Sequence, residues 1–293
     1  MTQSTWTRRK FLGAAAVGGG AFALTSGPAI AQSAGAGLLA KLRKAGVVKI
    51  SMTNGAPYGI LMPDGTVSGV SPTIVRLIME RLGVPKVEGI ITTYGQMIPG
   101  LMAGRWDMIG APMNITGERC KQVMYADPIL YEGSGYAYIP ANLPNPPKSL
   151  QEIGQRIQKI GAQAGSTSQI ILTPIMAAGN KGEILMFPDT SSLMEGLNTK
   201  RVEMIVTGIV SLHELKKEGK GGPFEIVYPM QGDPLKGAAP GFRFEDTDLY
   251  EAFQAEYRKM KKSGEAEKII TGFGFDILPG WADLTGEKAC TLA

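Results

Sequence analysis

Residues 87–123 read VEGIITTYGQMIPGLMAGRWDMIGAPMNITGERCKQV, and the order of apolar segments in this stretch decides the fold class. Apolar runs at 87–91 and 107–111 predict strands, and the segments at 94–102 and 116–123 predict helices. Alternating strands and helices indicate a parallel sheet with helices packed on its faces. The stretch therefore predicts an α/β fold.

The same alternation continues on both sides of this stretch. A β-branched strand at 47–51 and a helix at 72–82 precede it, and a second series of strands and helices occupies 160–206. The composition changes at 141–147, where three prolines occur, and again at 231–234. Two breaks that bracket a complete α/β series indicate that one lobe is inserted in another. We predict lobe one at 32–140 and 234–293, and lobe two at 141–233.

The N-terminal residues have the features of an export signal. Paired arginines in TRRKFL at 7–12 precede a Gly/Ala-rich apolar segment, and Ala29 and Ala31 form a small-x-small cleavage site. The apolar segment at 13–24 is shorter than the roughly 20 residues that span a bilayer. We expect a twin-arginine signal peptide at 1–31 and a periplasmic mature protein. The alternative is an ordinary basic N-terminus.

The charge balance argues against nucleic acid as a partner. The chain has 30 Lys and Arg against 26 Asp and Glu, and the predicted signal peptide contains Arg8, Arg9 and Lys10 but no acidic residue. The mature chain is thus nearly neutral, and it lacks the basic block that nucleic-acid binding requires. We expect no nucleic-acid partner.

Cysteine and histidine usage limits the possible chemistry. Cys120 and Cys290 are the only cysteines, and an oxidising periplasm favours their pairing, with two unpaired buried thiols as the alternative. These cysteines and His213, the single histidine, supply too few donors for a metal site. His213 also lies beside Glu214 in a charged helical segment, where it is typical of a solvated residue rather than a catalytic base. We expect no metal and no cofactor.

Two segments carry a family resemblance. The run GRWDMIGAPMNITGER at 104–119, followed by YADPILY at 125–131, resembles the periplasmic solute-binding proteins (family 3) that serve polar amino acid ABC transporters. The resemblance implies a type II fold of two α/β lobes with a ligand cleft between them. It also implies that Arg119, the arginine of the Thr-x-x-Arg element, grips the carboxylate of the ligand, because a guanidinium offers paired donors to a carboxylate. A surface salt bridge of Arg119 is the alternative.

The second lobe offers donors for the same anionic group. The sequence GSTS at 165–168 falls between a predicted strand and a predicted helix. Backbone amides at a helix N-terminus, together with the hydroxyls of Ser166 and Thr167, can hold an anion. An ordinary helix cap is the alternative interpretation.

Within this group, the chain is most similar to the ectoine and hydroxyectoine binders. The similarity rests on Asn54 with APY at 56–58, on the run YGQMIPGL at 94–101, on ERC at 118–120 and on the tail EKAC at 287–290. In those relatives aromatic rings enclose a delocalised cation, and this implies Tyr58 and Tyr94 as ring residues. Tyrosines that merely pack in the core are the alternative.

Three positions depart from the relatives. Gly55 stands where the ectoine binders have a glutamate, and Asn114 stands where they have a third ring. Gly208 stands where amino acid binders place an aspartate that pairs with the α-ammonium. A closed cleft would leave the ammonium of a standard amino acid inadequately paired. Ectoine is therefore one candidate among small carboxylates.

These observations predict the substrate-binding component of an ABC importer, monomeric and not an enzyme, which delivers a small carboxylate-bearing solute to a membrane permease. One alternative is a periplasmic enzyme on the same fold, such as a cyclohexadienyl dehydratase, with Glu132 or Asp189 as its acid. Another is a protein that presents its ligand to a membrane sensor. The predicted ligand-binding residues are Arg119, Tyr58, Tyr94, Asn114, Thr167, Ser166, Ala111 and Asp189.

Overall fold

The computed structural model describes residues 37–179, 181–219 and 222–292, and the predicted signal peptide lies outside them. The first part of lobe one comprises α1 (Leu38–Ala45), β1 (Val47–Met52), β2 (Ile60–Leu61), β3 (Val67–Ser68), α2 (Val70–Arg81), β4 (Lys86–Ile91), α3 (Tyr94–Met102), β5 (Met108–Asn114), α4 (Gly117–Cys120), β6 (Met124–Tyr125) and β7 (Leu130–Glu132).

Lobe two follows, and the chain then returns to lobe one. Lobe two comprises β8 (Ser134–Tyr138), α5 (Leu150–Arg156), β9 (Lys159–Gln163), α6 (Thr167–Ala178), β10 (Glu183–Phe187), α7 (Thr190–Asn198), β11 (Met204–Gly208), α8 (Ile209–Lys217) and β12 (Glu225–Val227). Lobe one is completed by β13 (Lys236–Phe242), α9 (Thr247–Ser263), α10 (Glu265–Gly272) and α11 (Gly286–Leu292).

Each lobe contains its own mixed sheet. In lobe one the strand order is β4-β1-β5-β13-β6, and β7 also pairs with β13. Strands β1, β4 and β5 are parallel, whereas β13 is antiparallel to its neighbours. In lobe two the order is β10-β9-β11-β8-β12, with β8 antiparallel to β11 and β12. This topology confirms the predicted α/β fold of two lobes, the second inserted in the first.

The predicted first boundary between the lobes needs correction. Lobe one is predicted to extend to residue 140, but β8 pairs with β11 and β12 in the second sheet. The chain therefore crosses between the lobes after Glu132, and the boundary predicted after residue 140 lies too late. The prolines at 141–147 occur in a loop between β8 and α5, both of which belong to lobe two. Proline-rich composition marked a turn on one lobe rather than the crossing.

One apolar face of α9 packs in the core. Leu249, Phe253, Tyr257 and Met260 recur at intervals of three and four, and all four are fully buried. They join the single apolar core of lobe one, whereas lobe two has separate apolar clusters. In the part of the chain that the structure describes, no helix is long and apolar enough to cross a bilayer.

The C-terminal helix is tied to the region of the predicted anchor. Cys290 in α11 is bonded to Cys120 at the end of α4, with an S–S distance of 2.04 Å. Thr116 caps α4, because its hydroxyl accepts a hydrogen bond from the backbone N–H of Arg119 at 3.3 Å. These contacts fix the short helix that carries Arg119.

Candidate functional site

A cavity lies between the two lobes, at the carboxyl ends of β1, β5, β9 and β11. Ligands of open α/β sheets bind outside the carboxyl ends of strands, and pockets are common at domain interfaces. The residues that form the wall are mostly small or polar and come from both lobes. They are Thr53, Gly55, Tyr58, Tyr94, Pro112, Asn114, Arg119, Glu132, Gly133, Ser134, Gln163, Ser166, Thr167, Ser168, Thr190, Thr207, Gly208, Ser211 and Lys236.

Arg119 is a buried cation on the wall of this cavity. Its residue exposure is 8%, and its Nη1 and Nη2 donate to the backbone oxygens of Asn114 at 2.7 Å and of Gly165 at 2.6 Å. Desolvation lowers the pKa of Arg119, and the groups that act in the opposite direction are Tyr125 and Tyr94 rather than a carboxylate. An arginine nevertheless stays protonated in proteins. The site therefore holds a positive charge that an anionic ligand group can neutralise.

The N-terminus of α6 lies beside Arg119, because Gly165, which precedes the N-cap of this helix, accepts the hydrogen bond from Nη2 of Arg119. Ser166 is the N-cap of this helix, and its hydroxyl accepts a hydrogen bond from the backbone N–H of Gln169 at 3.3 Å. The hydroxyl of Thr167 accepts a hydrogen bond from the side-chain amide of Asn114 on lobe one. The cap is thus present, and both hydroxyl groups also lie on the wall of the cavity.

The two lobes are in contact around the cavity, so the structure is a closed arrangement. Besides the hydrogen bonds from Arg119 and Asn114 to lobe two, the hydroxyl of Ser211 donates to the backbone oxygen of Ala56 at 3.2 Å. Gly165 has a φ of +72°, and a Cβ at this position would lie within 3.0 Å of backbone atoms of Gly95 on lobe one. Only glycine allows the two backbones to approach so closely.

Tyr58, a predicted aromatic residue of the site, is hydrogen-bonded to Glu132, the acidic residue on the wall of the cavity. Its hydroxyl donates to Oε1 of Glu132 at 2.7 Å, and its ring packs edge-on against Phe275 with 4.9 Å between the ring centroids. Burial raises the pKa of Tyr58, and the neighbouring charge of Glu132 adds to this effect. A Cβ at Gly208 would lie within 3.0 Å of the Tyr58 hydroxyl, so this hydroxyl fills the space that a side chain at position 208 would need.

Glu132 is the acidic side chain on the wall of the cavity. Burial raises its pKa from 4.5 to about 7, although the hydrogen bond from Tyr58 acts in the opposite direction. Its second oxygen, Oε2, is buried and has no hydrogen-bond partner among the described residues. Sequence reasoning considered Glu132 only as the acid of an enzyme. Its place between two apolar segments, with no basic residue beside it in sequence, was the signal that could have singled it out.

Lys236 on β13 is a second wall residue that the sequence did not indicate. Its ammonium forms an ion pair with Asp233 and donates to the backbone oxygen of Pro234 at 2.8 Å. Asp233 also accepts from the backbone N–H of Ser134 at 2.9 Å. The charge of Lys236 is therefore already compensated within the protein.

Two predicted ligand-binding residues do not reach the wall of the cavity. Asp189 caps α7, because its Oδ1 accepts from the backbone N–H and from the hydroxyl of Ser192, each at 2.8 Å. Thr190, the next residue, is on the wall instead. Ala111 is 1% exposed within β5, and Pro112 is on the wall, as expected when successive side chains of a strand point to opposite faces. Within the described residues, no three His, Cys, Asp or Glu side chains are grouped as a metal site would require.

Sequence comparison relates the chain to transport proteins. The family model for bacterial extracellular solute-binding proteins, family 3, matches residues 48–275. A probable amino-acid ABC transporter periplasmic-binding protein of Sinorhizobium fredii is 27% identical over 271 residues, which cover 89% of this chain and 88% of the relative. The histidine-binding periplasmic protein of Salmonella typhimurium is 25% identical over 231 residues, which cover 77% of this chain and 86% of the relative.

Structural comparison gives a consistent result. The crystal structure of EhuB in complex with hydroxyectoine has a TM-score of 0.80 and 34% sequence identity, with 86% of this chain and 97% of that chain covered. The ancestral amino acid-binding protein AncCDT-1, a precursor of cyclohexadienyl dehydratase, has a TM-score of 0.71 and 22% identity, with 82% and 100% covered. This second likeness concerns the fold alone.

Proposed function

Because the chain belongs to the bacterial extracellular solute-binding proteins, family 3, we propose that its lobes close on a small carboxylate-bearing solute. The chain is the solute-binding component of an ABC transporter of the amino-acid type, a function that its relatives support. The proposal adds the chemical class of the solute, the periplasm as the place of binding, and delivery of the solute to the permease by a monomer.

One observation carries the carboxylate part of the proposal. Arg119 is buried at the interface of the lobes, and no ion pair with a carboxylate of the described residues compensates its charge. A carboxylate can accept paired hydrogen bonds from a guanidinium, and charge-assisted bonds of this kind are roughly twice as strong as neutral ones. The donors of Ser166 and Thr167 on α6 face the same cavity and can complete the binding of the anion.

The interlobe position of the site gives the mechanism of binding. A solute that contacts Arg119 on lobe one and the N-terminus of α6 on lobe two binds the closed state better than the open state. Such a ligand shifts the equilibrium toward closure by its differential affinity for the two states. The closed form is then the signal that a permease can recognise.

An ectoine-like compatible solute is the proposed ligand, with an amino acid derivative as the other candidate. EhuB, a relative at 34% identity, was crystallised with hydroxyectoine. Tyr58 and Tyr94 lie on the wall of the cavity, where their rings can contact a delocalised cation. Gly55 and Asn114 occupy two further wall positions, so the recognition of the cation must differ from that of the relatives.

Isothermal titration calorimetry with ectoine, hydroxyectoine and amino acids tests this proposal on the mature protein and on two arginine variants. We expect Arg119→Ala to weaken binding roughly 30-fold or more, because truncating one partner of a buried charge pair costs about 2–5 kcal/mol. Arg105→Ala is the matched control, since Arg105 is exposed on lobe one and away from the cavity. Unchanged affinity of Arg119→Ala for a carboxylate ligand would contradict the proposal.

The enzyme alternative has one observation in its favour. The pKa of Glu132, raised by burial to about 7, is suitable for a general acid. The relatives named above are described as transport or binding proteins, which favours the transport function. Incubation of the purified protein with prephenate distinguishes the two functions, since release of a dehydrated product that depends on Glu132 would support the enzyme.

A further inference from the structure

The carboxylate of Glu132 has one oxygen available to a ligand. Oε1 accepts the hydrogen bond from the Tyr58 hydroxyl at 2.7 Å, whereas Oε2 is buried with no hydrogen-bond partner among the described residues. Glu132 ends β7 and forms part of the wall of the interlobe cavity. A buried polar atom without a partner is unfavourable by about 1–3 kcal/mol, and by more for a charged group. A ligand that donates to Oε2 would remove this penalty.

Among the described residues, no basic side chain forms an ion pair with Glu132. Lys236 is its direct neighbour in the β7–β13 register, but the ammonium of Lys236 is bound to Asp233 and to the Pro234 oxygen. Desolvation raises the pKa of Glu132 and the hydrogen bond from the Tyr58 hydroxyl lowers it, and no nearby cation contributes to the shift. A desolvated carboxylate of this kind is suited to a cation that arrives with the ligand.

Glu132 and Arg119 are placed at different parts of the same cavity, with Tyr94 near both. Burial raises the pKa of Tyr94, and in addition the charge of Glu132 raises it while the charge of Arg119 lowers it. The guanidinium of Arg119 is bonded to the backbone oxygens of Asn114 and Gly165, whereas the carboxylate of Glu132 is bonded to Tyr58. The cavity therefore has a negative and a positive group that a dipolar molecule can bridge.

We propose that Glu132, held by Tyr58, binds a protonated N–H group of the solute whose carboxylate binds Arg119. This assignment rests on the proposed function and narrows it. The solute is a zwitterion whose cation carries at least one N–H, such as an ammonium, amidinium or guanidinium. A fully methylated ammonium has no N–H and leaves Oε2 unsatisfied, so betaines are poor ligands.

The environment of Gly208 supports this location for the cation. A side chain at position 208 would occupy the place of the Tyr58 hydroxyl. That hydroxyl orients the Glu132 carboxylate instead. Glycine at 208 and glutamate at 132 are thus consistent with a cation that binds at the end of β7 rather than at the end of β11.

The test compares probes that differ at the nitrogen. Calorimetry on the mature protein uses butanoate, 4-aminobutanoate and 4-trimethylammoniobutanoate as one series, and ectoine against glycine betaine as a second pair. We expect the strongest ligand to carry an N–H, and its affinity to exceed that of the methylated probe at least 10-fold. We expect Glu132→Gln to weaken the binding of this ligand about 10- to 100-fold, in line with the strength of hydrogen bonds to charged groups.

Two variants make the result specific. Glu88→Gln removes an exposed carboxylate of β4, and its affinities should equal those of the wild type. Tyr58→Phe keeps the ring but removes the hydrogen bond to Glu132, and it should also weaken the N–H ligand. This second variant provides the test if Glu132→Gln does not fold, as judged by circular dichroism.

The outcomes separate the two proposals. Equal affinity for methylated and N–H probes, or wild-type affinity in Glu132→Gln, would overturn the assignment of Glu132. If Arg119→Ala abolishes binding at the same time, the proposed function stands and only this assignment fails. If no carboxylate probe binds the wild type, both are overturned.

Discussion

Replacement of Gly165 by alanine should weaken solute binding by preventing complete closure of the lobes. In the closed structure a Cβ at position 165 would lie within 3.0 Å of the backbone of Gly95 on the opposite lobe, and a backbone cannot move aside as a flexible side chain can. Overpacking of this kind costs typically about 1–3 kcal/mol. Because the penalty exists only in the closed state, the Kd should rise about 5- to 150-fold.

Gly104→Ala is the matched control for backbone strain. Gly104 has a φ of +67°, close to the +72° of Gly165, and a Cβ there would have no atom within 4 Å. Both variants should lose about 1–2 kcal/mol of unfolding free energy, because alanine is disfavoured in the left-handed region. Only Gly165→Ala should also lose affinity.

Calorimetry with the probe that binds the wild type most tightly measures this difference, and small-angle X-ray scattering with and without that probe reports closure. The wild type and Gly104→Ala should become more compact with the probe, whereas Gly165→Ala should need a higher probe concentration to reach the same compactness. Equal Kd values for the two alanine variants would refute the reasoning, since the lobes would then not meet at Gly165 when a solute is bound.

Four further predictions concern Glu132, Asp189 and the cysteine pair. The affinity for an N–H cation should increase as the pH rises through about 7, because the Glu132 carboxyl must lose its proton to bind a cation; calorimetry between pH 5.5 and 8.5 should show this in the wild type and not in Glu132→Gln. In the absence of solute, the free energy of unfolding should instead fall as the pH rises from 4.5 to about 7, because the raised pKa of Glu132 makes its ionised form unfavourable in the folded protein. Urea titrations of wild type and Glu132→Gln should therefore converge at low pH. Asp189→Ala should lose about 1 kcal/mol of stability in thermal melts without any change of solute Kd, because Asp189 caps α7 and does not line the cavity. Thiol titration of unfolded, unreduced protein should find neither Cys120 nor Cys290 free, and reduction should lower the Tm, since closing a loop with a sequence separation of 170 contributes up to about 4–5 kcal/mol in the chain-entropy model.

The elements were predictable because hydrophobic periodicity is a local signal. The helix predicted at 94–102 has those bounds in the structure, and the strand predicted at 87–91 differs from β4 by a single residue. The helix predicted at 116–123 is shorter, because α4 ends at Cys120 and the following residues form a turn. The sheet to which β8 belongs depends on pairing with β11, far along the chain, and no local pattern contains that information.

The site was predictable to the extent that family motifs mark it. Six of the eight predicted ligand-binding residues lie on the wall of the cavity, and their part in binding stays a prediction. Asp189 and Ala111 do not reach the wall, because the direction of a side chain depends on the cap and on the face of the strand. The sequence does not show that Glu132 lies beside Lys236, or that this lysine is bound to Asp233, because both facts depend on contacts in three dimensions.

The division of charge between the lobes has a consequence for the order of binding. Arg119 and Glu132 both belong to lobe one, on α4 and β7, whereas the wall residues of lobe two are uncharged: Gly133, Ser134, Gln163, Ser166, Thr167, Ser168, Thr190, Thr207, Gly208 and Ser211. In the proposed site, a zwitterion can therefore form both of its charged contacts on lobe one before closure. Lobe two then adds hydrogen bonds and excludes water, which strengthens the charged contacts by lowering the local dielectric constant. In this proposal the solute binds to lobe one first, and the uncharged donors of lobe two then stabilise the closed state.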